Sequence, residues 1–324
     1  MKGIKKAIQC LKDNKSFVIT SHTNLEGDAL GSELAFWKLL KAMGKHAVII
    51  NEDTPPCNYT FLPHILRIKK FKKNMSNTRC DCFVLLDCSN LERCGKVASI
   101  SRNAKSILNI DHHISNEMFG DVNWVDSSAS CCAEMIYNLY KRLRLPLNRD
   151  IATFLYTGLL TDTGSFRYTN TTSLTHKIAS ELLKYDLRVA WIYKQVYENI
   201  SFEDMRLLIK ALSFIRRDDS GRIAWVKIRR GLLKNIDIRL DLAEEVLSFA
   251  RAIKGTEVSI LFKESLKNKD EVRVNLRSSG RVDVNKVASF FGGGGHKTAS
   301  GATVKGDIET VSRQVLSKIR ETLQ

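Results

Sequence analysis

Short apolar runs recur through the first half of the chain: SFVIT (16–20), HAVIIN (46–51), DCFVLLD (81–87) and SILNI (106–110). Nearly every position in them is hydrophobic, which suits strands buried on both faces rather than strands with one wet side. Between the first two lies ALGSELAFWKLLKAMGK, with apolar residues at helical spacing, and SSASCCAEMIYNLYKRLRL (127–145) fits a further helix. Ile4, Ala7, Ile8 and Leu11 form one stripe of a short amphipathic helix at the start. Strand–helix alternation of this kind predicts a parallel sheet covered by helices on both sides.

The pattern changes near residue 186. LRVAWIYKQVYENISFEDMRLLIKAL reads as a long helical stretch, and beyond it come strands in RIAWVKI (222–228), EVSILFKE (257–264) and EVRVNLRS (271–278). The expected fold is α/β, with a parallel-sheet domain over 1–188, a linker helix over 189–210 and a smaller mixed α/β domain over 211–324. The active site is expected in the cleft between the two domains.

Composition changes this picture little. With 324 residues, 44% hydrophobic and 27% charged, the chain can bury two cores, and no repeat or low-complexity segment stands out. No apolar run approaches the roughly 18–20 residues of a membrane span. A soluble cytoplasmic protein with no membrane partner is therefore expected. None of the eight cysteines lies in a CxxC pair, so neither a paired-cysteine zinc site nor a disulfide framework is supported. They are expected to be small buried hydrophobes. Charge is more informative: the net +16 is shared by both halves and suits a polyanionic partner such as a nucleotide or oligonucleotide. The densest basic run, RIKKFKK (67–73), reads as solvated surface.

The chemistry gathers at strand ends, where open parallel sheets bind their ligands. His22, Glu26 and Asp28 follow the first strand, Asp87 closes the third, and Asp111, His112 and His113 follow the fourth. A fourth cluster, with Asp162, follows the apolar helix IATFLYTGLL. Each has an ordinary alternative: Asp28 as a helix N-cap, Asp87 as a turn former, either histidine as a hydrogen-bonded core residue. Together, His22, Glu26, Asp28, Asp87, His112 and Asp162 would supply six ligands to hard divalent cations of the Mn²⁺ or Mg²⁺ type, imidazole favouring Mn²⁺. Paired ions in such centres sit about 3.5–4 Å apart with a bridging carboxylate. The glycines around Asp28 are expected to let the backbone turn so that these groups face inward.

In the second domain, Val272, Val274 and Leu276 alternate with Arg273, Asn275 and Arg277, giving one apolar and one anion-facing strand side. Gly292–Gly295 followed by His296 are expected to form a nest of exposed N–H groups for phosphate. Phe290 and Phe291 are expected in the core, and no base-stacking residue is assigned. There is no GxxxxGK[ST], so a nucleoside triphosphatase loop is unsupported.

These motifs resemble, over the whole chain, the DHH phosphoesterase superfamily. HTNLEGDALGS (22–32), LLDCSN (85–90), NIDHH (109–113) and TGLLTDTGSFRY (157–168) look like its four catalytic motifs, and FGGGGHKTASGA (291–302) like the signature of the DHH-associated domain. The chain looks most like the stand-alone nanoRNase type, which degrades very short oligoribonucleotides and often removes the 3′-phosphate of 3′-phosphoadenosine 5′-phosphate (pAp). The resemblance implies two Mn²⁺ ions, with Mg²⁺ as the alternative: one held by His22, Glu26 and Asp87, the other by Asp28, Asp87, His112 and Asp162, Asp87 bridging. Attack on the phosphate would come from metal-bound hydroxide. The resemblance also implies His113 at the scissile phosphate or leaving oxygen, Asp111 orienting the imidazoles, and substrate binding by Arg277, Gly293, Gly294, Gly295 and His296. Partners would be short single-stranded RNA or nucleotides, and often a second copy of the chain. One departure stands out: the family usually has aspartate where Glu26 stands and proline where Leu25 stands. The rival substrate is cyclic di-AMP or its linear product pApA. A rival of another class is a nucleotide-binding protein with an impaired metal site.

Overall fold

The computed structural model describes residues 2–233, 242–266 and 268–323. The chain divides into two compact units, residues 1–199 and 200–324.

The first unit runs α1 (Lys2–Asp13), β1 (Ser16–Thr20), α2 (Gly27–Ala42), β2 (His46–Asn51), β3 (Ile68–Lys70), β4 (Cys80–Leu86), β5 (Ala104–Asp111) and β6 (Val122–Val125). Four helices follow: α3 (Cys132–Leu143), α4 (Arg149–Asp162), α5 (Ser173–Leu183) and α6 (Val189–Tyr197). The strands are all parallel, in the order β3-β2-β1-β4-β5-β6. Both faces are buried, as the continuous apolar runs demand. Phe17, Ile19, Val84 and Leu86 pack with α2, α3 and α4, while Val18, Phe83 and Leu85 pack with Val97 and Ile100 on the other side. The order reverses beside β1, so the ends of β1 and β4 open a crevice between diverging connections.

Helices α2 and α4 approach closely enough to bring Asp28 toward Asp162. A Cβ on Gly31 would stand 2.3 Å from the Phe154 carbonyl oxygen, and one on Gly158 would stand 2.7 Å from Asp28 Oδ1. Here the expectation for the glycines is corrected. Gly27 and Gly31 are helical with no positive φ, and their missing side chains serve helix packing; Asn24, at φ 62°, makes the turn.

The second unit contains α7 (Phe202–Leu212), β7 (Arg216–Arg217), β8 (Ile223–Ile228), α8 (Arg230–Leu233), α9 (Leu242–Ala252), β9 (Val258–Glu264) and β10 (Glu271–Ser278). It ends with α10 (Val284–Phe290), β11 (Gly294–Gly295), β12 (Ala299–Lys305) and α11 (Ile308–Leu323). Its sheet, β11-β12-β10-β9-β8-β7, is mixed: β8 and β9 run parallel and the other pairs antiparallel. The stretch expected as one linker helix is two helices. Ser201 stops the run by accepting the Asp204 N–H at 3.0 Å and starting α7 afresh.

No helix among the described residues is long and apolar enough to cross a membrane. All eight cysteines are free and all but Cys57 are buried. Lys69, Lys70, Lys72 and Lys73 of the basic run are exposed. Phe291 packs on the core, but Phe290 is 65% exposed, with Lys318 Nζ 4.7 Å from its ring centre. It falls on the outer side of α10, a side that adjacency to Phe291 cannot reveal.

Candidate metal centre

The six side chains singled out as ligands converge at the carboxyl ends of β1, β4 and β5. Three overlapping groups each place one donor atom per residue within 4.8 Å of the others: His22–Glu26–Asp87, Asp28–His112–Asp162 and Asp87–His112–His113. Asp87 is shared. Its Oδ2 lies 3.4 Å from His22 Nε2 and its Oδ1 3.3 Å from His112 Nε2. His112 Nε2 is also 3.8 Å from Asp162 Oδ2.

Local structure explains each position. Asp87 leaves β4 in the left-handed region at φ 54°, a conformation aspartate tolerates better than most residues, and its N–H donates to the Ile110 carbonyl at 3.0 Å. His22 donates Nδ1–H to the Thr23 carbonyl at 2.6 Å, which turns Nε2 toward Asp87. Glu26 is the N-cap of α2, its two oxygens accepting the N–H groups of Asp28 at 2.9 Å and Ala29 at 2.8 Å. The N-cap, weighed as the ordinary alternative for Asp28, therefore belongs to Glu26. Asp28 caps a different helix, accepting Cys132 N–H at 2.6 Å and Ala133 N–H at 2.8 Å at the start of α3. Asp162 closes α4 and accepts from Asn170 Nδ2 at 3.1 Å.

Electrostatics set these groups apart. Burial, then the charges of Asp87, Glu26 and Asp162, raise Asp28 well above the usual carboxylate range. Burial and Asp87 push Glu26 up to about 7, and burial also raises Asp162. Burial works the same way on Asp87, but the close imidazoles of His112 and His22 outweigh it and hold Asp87 well below its usual value. His22 and His112 rise in turn, the contacts with Asp87 overcoming burial.

A divalent cation suits this cluster on two observations. Asp87 Oδ1 is buried without a hydrogen-bond partner, a position that otherwise costs stability. Four carboxylates, Glu26, Asp28, Asp87 and Asp162, crowd together with three imidazoles, and all are hard oxygen or imidazole donors.

Beside the cluster, His113 Nδ1 hydrogen-bonds Asp111 Oδ1 at 2.7 Å, and Asp111 Oδ2 accepts from Asn116 Nδ2 at 2.6 Å. Asp111 thus orients His113, and among the described residues no hydrogen bond joins it to His112. Sequence reasoning missed Arg93, Asn51, Glu33, Asn116 and Asn170. Asn51 Oδ1 accepts from Ser21 N–H and Thr20 hydroxyl, and its Nδ2 donates to buried Glu33 Oε2 at 2.8 Å, bracing the end of β1. Only the position of Asn51, closing the apolar run HAVIIN, hints at this.

The residues assigned to substrate all lie in the second unit. The register β11-β12-β10 sets Gly295 against Ser300 and Ser300 against Leu276, one residue from Arg277. Arg277 is paired with Glu244 of α9. Gly293, Gly294, Gly295 and His296 do not form the open nest expected. Gly293 N–H donates to Ala288 O at 2.8 Å, His296 N–H to Ala299 O at 2.7 Å, and Gly294–Gly295 pair with β12. Side-chain-free residues here admit the close passage of β12: a Cβ on Gly293 would meet Gly301 O at 2.2 Å.

Parallel β sheet, switch-point crevice and a carboxylate–imidazole cluster make up an α/β protein with a candidate divalent-metal site at its strand ends. Residues 16–159 match the DHH family N-terminal domain and residues 230–324 the DHHA1 domain. The chain is 31% identical over 313 residues to a bifunctional oligoribonuclease and PAP phosphatase NrnA of Thermus thermophilus, covering 94% of this chain and 89% of that protein. The protein of the same name in Bacillus subtilis is 29% identical, covering 89% of each. A solved exopolyphosphatase-related protein from Bacteroides fragilis superposes with a TM-score of 0.88 at 25% identity, over 98% of this chain and 96% of that one. The chain belongs to the DHH phosphoesterase family and is a hydrolase acting on phosphoester bonds.

Proposed function

We propose that this protein hydrolyses very short oligoribonucleotides to mononucleotides and pAp to AMP at a dinuclear divalent centre, with Mn²⁺ as the preferred ion. The observation that carries the reading is the shared Asp87, one oxygen toward His22 and the other toward His112. His22, Glu26 and Asp87 would hold one ion, and Asp28, Asp87, His112 and Asp162 the other. When bound, such a pair lowers the pKa of water and neutralises charge on phosphoryl oxygens. The names of the Thermus thermophilus and Bacillus subtilis relatives support the substrate class.

The protein's own groups have defined tasks in this reading. Asp111 fixes His113 through Nδ1, so Nε2 is the nitrogen presented to the scissile phosphate or leaving oxygen. Arg277, Gly293, Gly294, Gly295 and His296 are assigned in this reading to the remainder of the nucleotide.

The test is a panel of dinucleotide, pAp, pApA and cyclic di-AMP, each with Mn²⁺ and with Mg²⁺. Mononucleotide from the dinucleotide and AMP from pAp are expected, with little turnover of the cyclic compound. Asp87→Asn, which tolerates the left-handed turn, and His112→Ala should abolish both reactions while the far-ultraviolet circular dichroism is retained. Turnover that survives in either variant, or a preference for cyclic di-AMP, overturns the reading.

A further inference from the structure

We propose that Arg93, with Ser89, binds a non-bridging oxygen of the substrate phosphate and holds that phosphate against His113. The inference deepens the proposed phosphoesterase reading and rests on it for the identity of the substrate. Its physical basis is an arginine aimed at the candidate centre whose donors are left nearly unused.

The backbone around Arg93 is fixed from several sides. Beyond the turn at Asp87, Cys88 O accepts from Asn109 Nδ2 at 3.0 Å and Ser89 O accepts from Glu117 N–H at 2.9 Å. Arg93 N–H donates to Asn90 Oδ1 at 3.1 Å, and Arg93 O accepts from Thr23 N–H at 2.7 Å. Thr23 adjoins His22, so the backbone of Arg93 is tied to the strand end that carries a candidate ligand.

The side chain is held far less firmly. Nη1 reaches Ser89 Oγ at 3.3 Å and His113 Nε2 at 3.4 Å. Both distances are at the long end for hydrogen bonds, and neither acceptor is a carboxylate. Among the described residues Arg93 forms no ion pair, although its charge acts on His22. An arginine placed for structure looks different in this same protein: Arg222 grips Glu257 with Nε at 3.0 Å and Nη2 at 3.2 Å, and donates Nη1 to Leu323 O. A guanidinium fork with donors to spare, half-buried beside a phosphoester-cleaving cluster, matches the geometry of a phosphate's oxygens. Because Nη1 already touches His113 Nε2, an anion taken by Arg93 lies beside the nitrogen that faces the reacting phosphate.

The contact is to phosphate and not to a base. Loss of Arg93 should therefore affect a diester and a monoester alike. In the full chain, Arg93→Met is expected to lower kcat/KM for dinucleotide and for pAp by the same factor, about 10- to 100-fold, as for a charged hydrogen bond lost. Arg93→Lys should recover part of the loss, and Ser89→Ala should cost less than Arg93→Met. Inorganic phosphate, titrated calorimetrically into the Mn²⁺-loaded protein, should bind more weakly to Arg93→Met by a similar factor, with Mn²⁺ stoichiometry and affinity unchanged. Unchanged phosphate affinity in Arg93→Met overturns the proposal, as does a variant that also loses Mn²⁺, which would make Arg93 structural. The phosphate titration needs no turnover, so it decides the role of Arg93 even if every member of the substrate panel proves inert.

Discussion

Glu26 shows how one methylene changes the work of a carboxylate. Where the family usually has aspartate, this chain uses the longer arm to curl back on α2 and cap it with both oxygens, while keeping a donor atom in the group with His22 and Asp87. Carboxylates have about four lone-pair sites, so capping and ligation are compatible. Glu26→Gln keeps an acceptor for the cap and removes the charge. Calorimetric titration with Mn²⁺ is expected to fall from two ions to one in that variant; two ions bound with unchanged affinity would mark Glu26 as a cap alone. Glu33 poses a separate question, because burial pushes it up to about 8 against the donated bond from Asn51. Below about 4.5 both folded and unfolded chains hold the proton, and the carboxyl is at its most favourable for folding. As pH rises toward 8 the unfolded chain ionises first, so this stability is progressively lost. In the metal-free protein, Glu33→Gln should melt higher than wild type by a margin that opens between those pH values, worth a few kcal/mol at most. A margin independent of pH would mean that Glu33 is already ionised in the fold.

The contact between α2 and α4 decides whether the residues of the site can meet. Gly31→Ala places a methyl group into the Phe154 carbonyl, and overpacking of this kind costs about 1–3 kcal/mol. The expected result is a lower denaturation midpoint together with weaker Mn²⁺ binding, since Asp28 and Asp162 are carried on the two helices being forced apart. A variant with reduced stability and unaltered metal affinity would separate the packing from the site. The same contact shows what the sequence could and could not reveal. The first-unit strands β1, β2, β4 and β5 were legible because both faces are buried and their apolar runs are unbroken. β3 was hidden inside a basic run and β6 is only four residues long. All six carboxylate and imidazole positions of the cluster were legible as groups following strands or closing a helix. Helix-to-helix distance was not, so the sequence alone suggests turn formers where the glycines are packing surfaces. The β11–β12 pairing escaped because glycines carry no alternation to mark a strand. Ser201, by contrast, sits three residues before Asp204 ahead of an apolar run, a capping pattern that could have split the long helix.

Charge acts on the molecule as a whole. A net +16 raises the local concentration of anionic substrates around the protein, and part of the gross positive charge behind it is held in ion pairs. Arg222 and Arg281 share Glu257, Lys227 and Arg229 share Glu309, and Lys38 pairs with Asp150. The long-range field therefore speeds encounter without defining how many phosphates are gripped at once. The gripped number is what salt dependence reports, because each neutralised phosphate of a single strand contributes roughly −0.7 to the slope of log affinity against log salt. If a dinucleotide is gripped at no more than two phosphates, as the proposed function requires, the slope of log kcat/KM against log KCl should be shallow, roughly −0.7 to −1.4. Lengthening the substrate to ten nucleotides should barely steepen it if the site grips only the shortest fragments. If the slope grows in proportion to length, exposed lysines such as those of 69–73 form a binding track for longer strands, and the protein is an exonuclease for polymers rather than an enzyme for the shortest fragments.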